Sequence, residues 1–387
     1  MDVLLLAPHP FYQDRGTPID VLLVLRVLSE RPDTKVDLLT YHEGEDVDLP
    51  DVRIHRSRRL PGLEDIRPGF SAKKVVADVL LFFKAWALVR ENDYDLIHAG
   101  EEAVFFAMFF KRTYGIPFAY DLDSSIAQQL VEQKPQLEAF SSLFNWLERQ
   151  AIQESLINFP VCNALADLCR ENGSEKTVTL HDISQLDDPE DADEACIQRE
   201  IGEQGAVFLY VGNLEPYQGI DLLLKSFRIA LDQDPDISLV IIGGETDDIN
   251  HYRDMAERLG IAEKTYFFGP RPFEDLGDYL ASADVVVSPR IEGINTPMKV
   301  FPYLHSGTPV LVTDLQTHNQ VLSEDEAFLA PADPEGFSEG MLELARDSSL
   351  RNRLGQNGHA FVERNHTYEA HRERLNEAYD WVENALA

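Results

Sequence analysis

Short apolar segments alternate with helical patterns along most of this chain, and the alternation stops once and then starts again. The first series of predicted strands comprises Val3–Leu6, Lys35–Leu39, Val52–His55, Asp95–His98, Pro117–Tyr120 and Thr177–Leu180. The second series comprises Val207–Val211, Ser238–Ile242, Thr265–Phe268, Asp284–Ser288 and Pro309–Thr313. Strands separated by helices are typical of parallel sheets that helices cover on both faces. The sequence therefore predicts an α/β protein with two Rossmann-type sheets.

The interruption lies at residues 182–200, which hold eight acidic residues and show no periodicity. We interpret this stretch as a solvated acidic linker. The predicted domains are 1–181 and 201–365, followed by a C-terminal helix at 366–387 that packs back towards the first domain. Parallel sheets bind ligands at the carboxyl ends of their strands, so we expect a central cleft that both sheets face.

The charge of the chain excludes several classes of protein. Asp and Glu number 68 against 34 Lys plus Arg, which gives a formal charge of −34. Such an acidic chain repels itself unless salt screens it, which indicates a halophilic protein, and it is poorly suited to binding nucleic acid. Because no stretch of about 18 apolar residues and no signal peptide is found, we expect a soluble cytoplasmic protein. The three cysteines, Cys162, Cys169 and Cys196, predict neither a disulfide framework nor a zinc site.

The most informative segment is 288–314, where a strand is followed by a polar loop and a short helix. The loop contains Arg290, Glu292, Gly293 and Asn295. Thr296-Pro297 predicts an N-cap followed by proline at the first helical position, so free backbone N–H groups would face the loop. Arg290 and Lys299 add positive charge within residues 181–387, where 40 acidic residues stand against 15 basic ones. We expect a diphosphate to bind here.

This segment resembles the nucleotide-sugar loop of the retaining glycosyltransferases of family 4, which have the GT-B fold. The matching residues are Asn295-Thr296-Pro297-Met298-Lys299 and Tyr303-Leu304-His305-Ser306-Gly307-Thr308-Pro309-Val310, together with Tyr210–Leu214, Gln218–Asp221, Phe268–Pro272 and Ala283–Val285. Gln13–Pro18 stands where the family's glycine-rich loop lies. The resemblance covers nearly the whole chain. It implies a GT-B fold, an acceptor-side first domain, a second domain that binds a nucleotide sugar as substrate, retention of configuration and no obligatory metal or cofactor.

The resemblance also implies roles for individual residues. Arg290 and Lys299 would stabilise the diphosphate, and Glu292 would contact sugar hydroxyls. The implied donor-binding residues are Gly16, Asn213, Gln218, Gly219, Arg271, Asn295, Thr296 and Pro297. The family usually has Arg and Lys where this chain has Asn213 and Gln218, and its second ribose-binding glutamate falls at Pro302. These departures leave open a catalytically degenerate binding subunit, and a sugar-nucleotide epimerase of the same fold is a further alternative.

The predicted acceptor side depends on four residues. Asp121 stands where many relatives have a histidine, and we assign it an acceptor or sugar contact; a structural turn residue is the other interpretation. His98, Glu101 and Glu102 follow a strand, where acceptor binding competes with capping of the next helix. Asp121-Leu122-Asp123 matches a metal-binding pattern, but such triplets recur by chance among 68 acidic residues, so we predict no metal site.

Residues 53–90 carry nine basic residues against three acidic ones. Lys73 and Lys84 are about three helical turns apart and would share one side of a helix that also carries Phe82, Phe83 and Trp86. Basic residues beside an apolar face suit peripheral contact with an anionic membrane at its inner face, or a polyprenyl-phosphate acceptor. A core helix with a solvated face is the alternative. Taken together, the sequence predicts a retaining hexosyltransferase of polysaccharide biosynthesis, acting on a lipid-linked or cell-surface glycan.

Overall fold

The computed structural model describes residues 1–12, 17–64, 66, 71–127, 140–186, 193, 195–202 and 205–387. The chain divides into two units. The first comprises Met1–His181 and His371–Ala387, and the second comprises Asp182–Ala370. Gln13–Gly16, which include the predicted donor-binding Gly16, lie outside the described residues.

The first unit contains a six-stranded parallel sheet. Its strands are β1 (Asp2–Leu6), β2 (Lys35–Thr40), β3 (Val52–Arg56), β4 (Leu96–Gly100), β5 (Phe118–Leu122) and β6 (Ile157–Pro160). Its helices are α1 (Thr17–Glu30), α2 (Ala72–Glu91), α3 (Val104–Tyr114), α4 (Ser141–Glu154) and α5 (Asn163–Glu171), with a 3₁₀ turn at Glu101–Ala103. The strand order is β3-β2-β1-β4-β5-β6, in which the direction of winding reverses between β1 and β4.

The second unit repeats this architecture. Its strands are β7 (Ala206–Val211), β8 (Ile237–Ile242), β9 (Thr265–Gly269), β10 (Val285–Ser288), β11 (Val310–Thr313) and β12 (Phe328–Ala330). Its helices are α6 (Cys196–Ile201), α7 (Ile220–Gln233), α8 (Thr246–Leu259), α9 (Leu276–Ala281), α10 (Val300–His305), α11 (Gln316–Asn319), α12 (Pro334–Arg346) and α13 (Ser348–Asn365). The order β12-β11-β10-β7-β8-β9 reverses its winding between β7 and β10. The prediction of an α/β fold with two Rossmann-type parallel sheets is therefore confirmed.

The last helix, α14 (Tyr368–Leu386), contributes its residues from His371 onward to the first unit. There Arg31 at the end of α1 donates to the side chain of Asn376 at 2.9 Å and to that of Asp380 at 2.7 Å. Tyr379 is fully buried in the same unit. The C-terminal end of the chain thus supplies part of the first unit's core.

The inner strands of both sheets are buried because helices cover each face, whereas the edge strands β3, β9 and β12 are partly exposed. Val3 to Leu6 and Ile237 to Ile242 are almost completely inaccessible, which explains why these strands have continuous apolar sequences and no polar alternation. Residues on the two faces of the second sheet belong to separate apolar clusters, one around Phe227 and Met341 and the other around Tyr303 and Leu304.

Three segments differ from the sequence prediction. Thr177–Leu180 is not a strand, since only an isolated bridge joins Thr177 to Asn158. The sixth strand is instead β6, whose Asn158 and Pro160 have low strand propensity and gave no strand signal. The three-residue strand β12 was not predicted. Residues 196–200, assigned to the acidic linker, form most of α6, where Ile197 is buried.

Helix α2 carries apolar residues on two sides. Ala77, Leu81, Ala85 and Leu88 are buried against the sheet. On another side Val75, Val76, Val79 and Phe83 are 44 to 57% exposed. Ser71 caps the helix by accepting a hydrogen bond from the backbone N–H of Lys74 at 3.2 Å. No helix in the described ranges has the length and apolar composition needed to cross a bilayer.

Candidate functional site

Two loops meet at the carboxyl ends of β7 and β10, where the winding of the second sheet reverses. The 212–219 loop follows β7, and the 289–299 loop follows β10. The backbone N–H of Ile291 donates to the carbonyl of Tyr217 at 3.0 Å, which joins the two loops. Open α/β sheets bind their ligands at this position, because the loops on either side diverge and leave a crevice between them.

A glycine allows the two loops to approach closely. Gly219 has a φ of +76°, and a Cβ atom at this position would lie 2.0 Å from the carbonyl oxygen of Pro289. Any other residue here would therefore require the backbone of the neighbouring loop to move. The approach brings Tyr217 and Gln218 next to the cations of the 289–299 loop.

Lys299 is half-buried and held by neutral groups. Its Nζ donates to the hydroxyl of Tyr210 and to Oε1 of Gln218, each at 2.8 Å, and lies 4.0 Å from the centroid of the Tyr210 ring. It makes no ion pair with any carboxylate in the described part of the chain. An ammonium group has three N–H donors, so one donor remains for a ligand oxygen.

Arg290 is fixed by its own loop. Its Nε donates to the carbonyl oxygen of Glu292 at 2.7 Å and its Nη2 to Oδ1 of Asn295 at 3.1 Å. The guanidinium lies 5.3 Å from the centroid of the Tyr217 ring. The planar group is therefore oriented before any ligand arrives, which is the property that a preorganised cation needs.

Side chains from β11, from α11 and from the residue directly after α11 hold the loop that carries these cations. Thr313 donates to the carbonyl oxygen of Arg290 at 2.5 Å, Thr317 donates to that of Asn295 at 2.8 Å, and Gln320 donates to that of Ile294 at 2.6 Å. These three hydrogen bonds satisfy backbone carbonyls that a helix or strand would otherwise satisfy. The irregular loop is thus tied to regular structure at three points.

Burial lowers the pKa of Lys299 well below its ordinary value, and the positive charge of Arg290 lowers that pKa further. Both causes are removed in part when an anion binds, because the anion compensates for lost hydration and offsets the repulsion between the two cations. The arrangement can therefore bind a doubly charged group such as a diphosphate and stabilise negative charge that grows on it.

The N-cap that the sequence predicts at Thr296 is wrong. Helix α10 begins at Val300, and Lys299 rather than Thr296 occupies the capping position, without a side-chain hydrogen bond. Thr296 is buried, and its hydroxyl has no hydrogen-bond partner among the described residues. Pro297 lies before the helix and its carbonyl accepts from the N–H of Val300 at 3.0 Å. Positive charge at the site therefore comes from side chains and not from a helix that begins at Pro297.

The other predicted donor-side residues lie in different environments. Asn213 is exposed, and its Nδ2 donates to the hydroxyl of Tyr217 at 3.4 Å. Glu292 is exposed at the tip of the 289–299 loop. Arg271 follows β9 at the edge of the sheet, where it pairs with Glu200 at 3.1 Å and lies 5.3 Å from the centroid of the Phe268 ring. The contacts of Arg271 therefore do not join it to Lys299 or Arg290.

In the first unit, Asp121 and His98 lie side by side on neighbouring strands. Asp121 is on β5 with 14% of its side chain exposed, and its Oδ2 lies 3.4 Å from Nε2 of His98. His98 lies within β4 and is only 1% exposed, so it is enclosed in the sheet and not presented on a loop after the strand. It therefore reaches a ligand only through neighbouring residues such as Asp121.

A cluster of charged and polar side chains lies where the winding of the first sheet reverses. Glu101 and Glu102 follow β4, and Lys74 on α2 contacts a carboxylate oxygen of Glu102 and donates to the carbonyl of Pro8 at 3.0 Å. Tyr41 contacts Asp78 through its hydroxyl. Sequence reasoning assigned Lys74 only to a basic surface and passed over Asp78, although an acidic residue within an apolar helix was a usable signal.

Burial raises the pKa of Glu101 to about 7, and repulsion by Glu102 acts in the same direction. Burial also raises the pKa of Asp78 to about 6, against the effect of the nearby Lys74. Glu101 has a φ of +45°, a backbone conformation that costs energy for a residue with a side chain. The cluster thus holds carboxyl groups that change charge near neutral pH and can exchange hydrogen bonds with ligand hydroxyls.

The chain resembles known proteins in sequence over part of its length. A family model described as "Glycosyl transferases group 1" matches residues 192–361. Mannosylfructose-phosphate synthase of Agrobacterium fabrum is 28% identical over 57% of this chain and 53% of its own length. Phosphatidyl-myo-inositol mannosyltransferase of Mycobacterium tuberculosis is 29% identical over 42% of this chain and 43% of its own length. The chain thus spans about half the length of these curated relatives.

Solved structures resemble the whole chain. Sucrose-phosphate synthase from Thermosynechococcus elongatus superposes with a TM-score of 0.79 at 17% identity, covering 99% of both chains. HepE of Anabaena, solved in complex with UDP-glucose, superposes with a TM-score of 0.74 at 16% identity, covering 98% of this chain and 99% of its own. The chain therefore has the GT-B fold, and residues 192–361 match the model of the glycosyl transferases group 1 family.

Proposed function

We propose that this protein is a retaining hexosyltransferase that moves a sugar from a nucleotide-sugar donor to a lipid-linked or cell-surface glycan. One observation carries the proposal. Arg290 and Lys299 converge at the point where the second sheet reverses its winding, and Lys299 is held by neutral groups in a chain with a formal charge of −34. Burying a cation in this way costs free energy unless an anionic ligand binds to it.

The donor diphosphate binds to Arg290 and Lys299 in this proposal. Because HepE of Anabaena was solved with UDP-glucose, we propose a UDP-sugar as the first donor to examine. Glu292 and Asn213, which are exposed on the two loops, contact hydroxyl groups of the sugar or ribose. Gln218 acts indirectly, because its Oε1 holds the Lys299 ammonium where the family usually has a second cation.

The chemistry requires the site to stabilise charge. The bond between the anomeric carbon and the leaving phosphate oxygen breaks, and negative charge grows on the diphosphate while the sugar becomes oxocarbenium-like. Lys299 and Arg290 stabilise that growing charge. The acceptor oxygen attacks the same face of the sugar, and its proton passes to the leaving phosphate oxygen. The products are the glycoside, with retained configuration, and the nucleoside diphosphate.

Polar residues of the first unit serve the acceptor or the transferred sugar in this proposal. Asp121, Glu101 and Glu102 can accept hydrogen bonds from sugar hydroxyls, and Lys74 fixes the side chain of Glu102. Since Asp121 replaces the histidine of many relatives, a carboxylate rather than an imidazole meets the sugar here. His98 then supports Asp121 from within the sheet.

We further propose that α2 contacts an anionic membrane surface at the inner face, as a peripheral contact of a cytoplasmic protein. Its exposed Val75, Val76, Val79 and Phe83 would insert among lipid chains, and Lys84 and the exposed Arg90 would face the headgroups. The charge available is smaller than the sequence suggests, because other cations of residues 53–90 are already paired: Arg56 with Asp46, Arg59 with Glu64, and Lys74 with Glu102.

The membrane contact is tested by cosedimentation with vesicles that contain anionic lipid. The double variant Val79→Ser, Phe83→Ser should lose binding, whereas a matched exposed change on another helix, Leu143→Ser, Trp146→Ser on α4, should retain most of it. Equal binding by the wild type to neutral and anionic vesicles would contradict the contribution of charge. Absence of binding would remove the membrane contact from the proposal and leave the donor site unaffected.

The function itself is tested with a panel of nucleotide sugars and glycan acceptors. Release of nucleoside diphosphate together with a glycoside of unchanged anomeric configuration supports the proposal. Conversion of one sugar nucleotide into another would indicate an epimerase. Binding of nucleotide without turnover of any donor would indicate a degenerate binding subunit.

A further inference from the structure

Three aromatic rings lie next to one another inside the first unit. They are His98 on β4, Phe159 on β6 and Tyr379 on α14, and the ring centroids lie 5.4 Å (His98–Phe159), 6.2 Å (His98–Tyr379) and 6.3 Å (Phe159–Tyr379) apart. His98 and Tyr379 are 281 residues apart in sequence. The C-terminal helix thus reaches the residue that lies behind Asp121.

Both nitrogens of the His98 ring have a polar neighbour. Nδ1 lies 2.7 Å from the hydroxyl of Tyr379, and Nε2 lies 3.4 Å from Oδ2 of Asp121. A carboxylate only accepts hydrogen bonds, so in the neutral ring Nε2 carries the proton that faces Asp121. Nδ1 is then an acceptor, and the Tyr379 hydroxyl must donate to it.

Tyr379 is suited to this role because it keeps its proton. Burial raises the pKa of Tyr379 far above its ordinary value, and the negative charge of Asp121 acts in the same direction. The opposing influence is Arg31 at the end of α1, which lies 5.8 Å from the centroid of the Tyr379 ring. The hydroxyl is therefore a donor throughout the range of pH in which the protein is handled.

Several other charged or titratable groups influence this cluster. They are Glu101 after β4, His181 after α5, and His371 and Arg374 on α14. Burial lowers the pKa of His371 to about 4, so this residue is neutral near pH 7 and does not act as a cation towards Asp121. Burial likewise lowers the pKa of His181 to about 4.

We infer that Tyr379 is a positioning residue that acts through His98 on Asp121. By donating to Nδ1 it selects the tautomer in which Nε2–H points at Oδ2, and this contact orients the carboxylate at the end of β5. The oriented carboxylate accepts a hydrogen bond from a hydroxyl group of the sugar substrate. This last step rests on the proposed function, whereas the link from Tyr379 to His98 and Asp121 does not.

The variant Tyr379→Phe removes the hydroxyl and keeps the aromatic ring next to His98 and Phe159. The ¹⁵N and ¹H resonances of the His98 ring, assigned by their absence in His98→Asn, report which nitrogen carries the proton. We expect the wild type to be protonated on Nε2, and Tyr379→Phe to show a mixture of tautomers. Tyr114→Phe is the matched control, because Tyr114 is an exposed tyrosine of the same unit.

Sugar transfer gives the second readout. Tyr379→Phe should reduce kcat/KM for transfer on the order of 10-fold, and the affinity for nucleoside diphosphate should stay unchanged because Arg290 and Lys299 belong to the other unit. Combined with Asp121→Asn, the same change should have little further effect, since a residue that acts through Asp121 loses its target. If Tyr379 had a purely structural role, Tyr379→Phe would reduce transfer by the same factor in the wild type and in Asp121→Asn.

Each outcome of these two measurements supports or overturns the proposed role of Tyr379. A wild-type ring protonated on Nδ1, or an unchanged tautomer in Tyr379→Phe, overturns it whether or not the protein transfers a sugar. Wild-type transfer by Tyr379→Phe, or fully additive losses with Asp121→Asn, also overturns it. If the wild type turns over no donor, the proposed function fails, and the tautomer measurement still decides the link between Tyr379 and His98.

Discussion

Replacing Lys299 with methionine separates the ligand-binding role of this residue from a structural one. The change keeps the aliphatic chain next to the Tyr210 ring and removes the charge that burial and Arg290 disfavour. A hydrogen bond to a charged group contributes about 1.5–3 kcal/mol, which corresponds to about 10- to 150-fold in affinity. We therefore expect Lys299→Met to weaken nucleoside diphosphate binding by that factor without lowering the melting temperature.

The pH dependence of binding gives a second test of the same residue. The pKa of Lys299 is lowered in the free protein and rises when an anion binds, so binding takes up protons in the window between the two values. Affinity should be highest below the lowered pKa and should fall as pH rises through the window. The uptake should disappear in Lys299→Met.

Isothermal titration with UDP in two buffers of different ionisation enthalpy measures both affinity and proton uptake. Lys225→Met is the matched control, because Lys225 lies on α7 of the same unit, is largely exposed and pairs with Asp221. The control should bind UDP like the wild type. Binding by Lys299→Met within about threefold of the control would show that the diphosphate is held elsewhere, and a lower melting temperature would indicate a structural role.

Four further results are expected. Arg290→Ala should reduce turnover at saturating donor on the order of 100-fold, and Asn213→Ala should reduce it much less, in steady-state assays of folded variants. Gly219→Ala should lower both the melting temperature and UDP affinity, because its methyl group would lie 2.0 Å from the carbonyl oxygen of Pro289. The raised pKa of Glu101 means that the folded state holds its proton more tightly than the unfolded state, so its contribution to stability is lost as pH rises from about 4.5 to about 7 and changes little above that. Glu101→Gln should therefore melt higher than the wild type in alkaline buffer and lose that advantage in acidic buffer. Finally, the melting temperature should rise from low to molar salt, since ions screen the repulsion of a −34 chain, and a flat or falling curve would refute the halophilic interpretation.

Much of the fold was predictable from local sequence. Strands that helices cover on both faces must be apolar throughout, so segments such as β7 and β8 stand out between polar loops. The sixth strand could not be found in this way, because Asn158 and Pro160 resemble turn residues and the strand exists only through its pairing with β5. Strand propensity depends on such pairing more than on the residue itself.

The candidate site was predictable only in part. Arg290 and Lys299 stood out because cations are sparse in the second half of the chain. The cap at Thr296 was predicted from a local pattern, but contacts from Thr317 and Gln320 hold the loop in an irregular conformation that delays the helix to Val300. The contribution of Tyr379 to the first unit had no local signal, because it depends on where the C-terminal helix packs.

The most direct test of the proposed donor site and mechanism follows one reaction by NMR. The wild type and Lys299→Met are incubated with a UDP-sugar and an acceptor glycan, and the anomeric signals of donor and product are recorded over time. We predict that the wild type releases UDP and forms a glycoside of the donor's anomeric configuration, and that Lys299→Met does so on the order of 100-fold more slowly. Inverted product, or equal rates for the two proteins, would contradict the proposed donor site and mechanism.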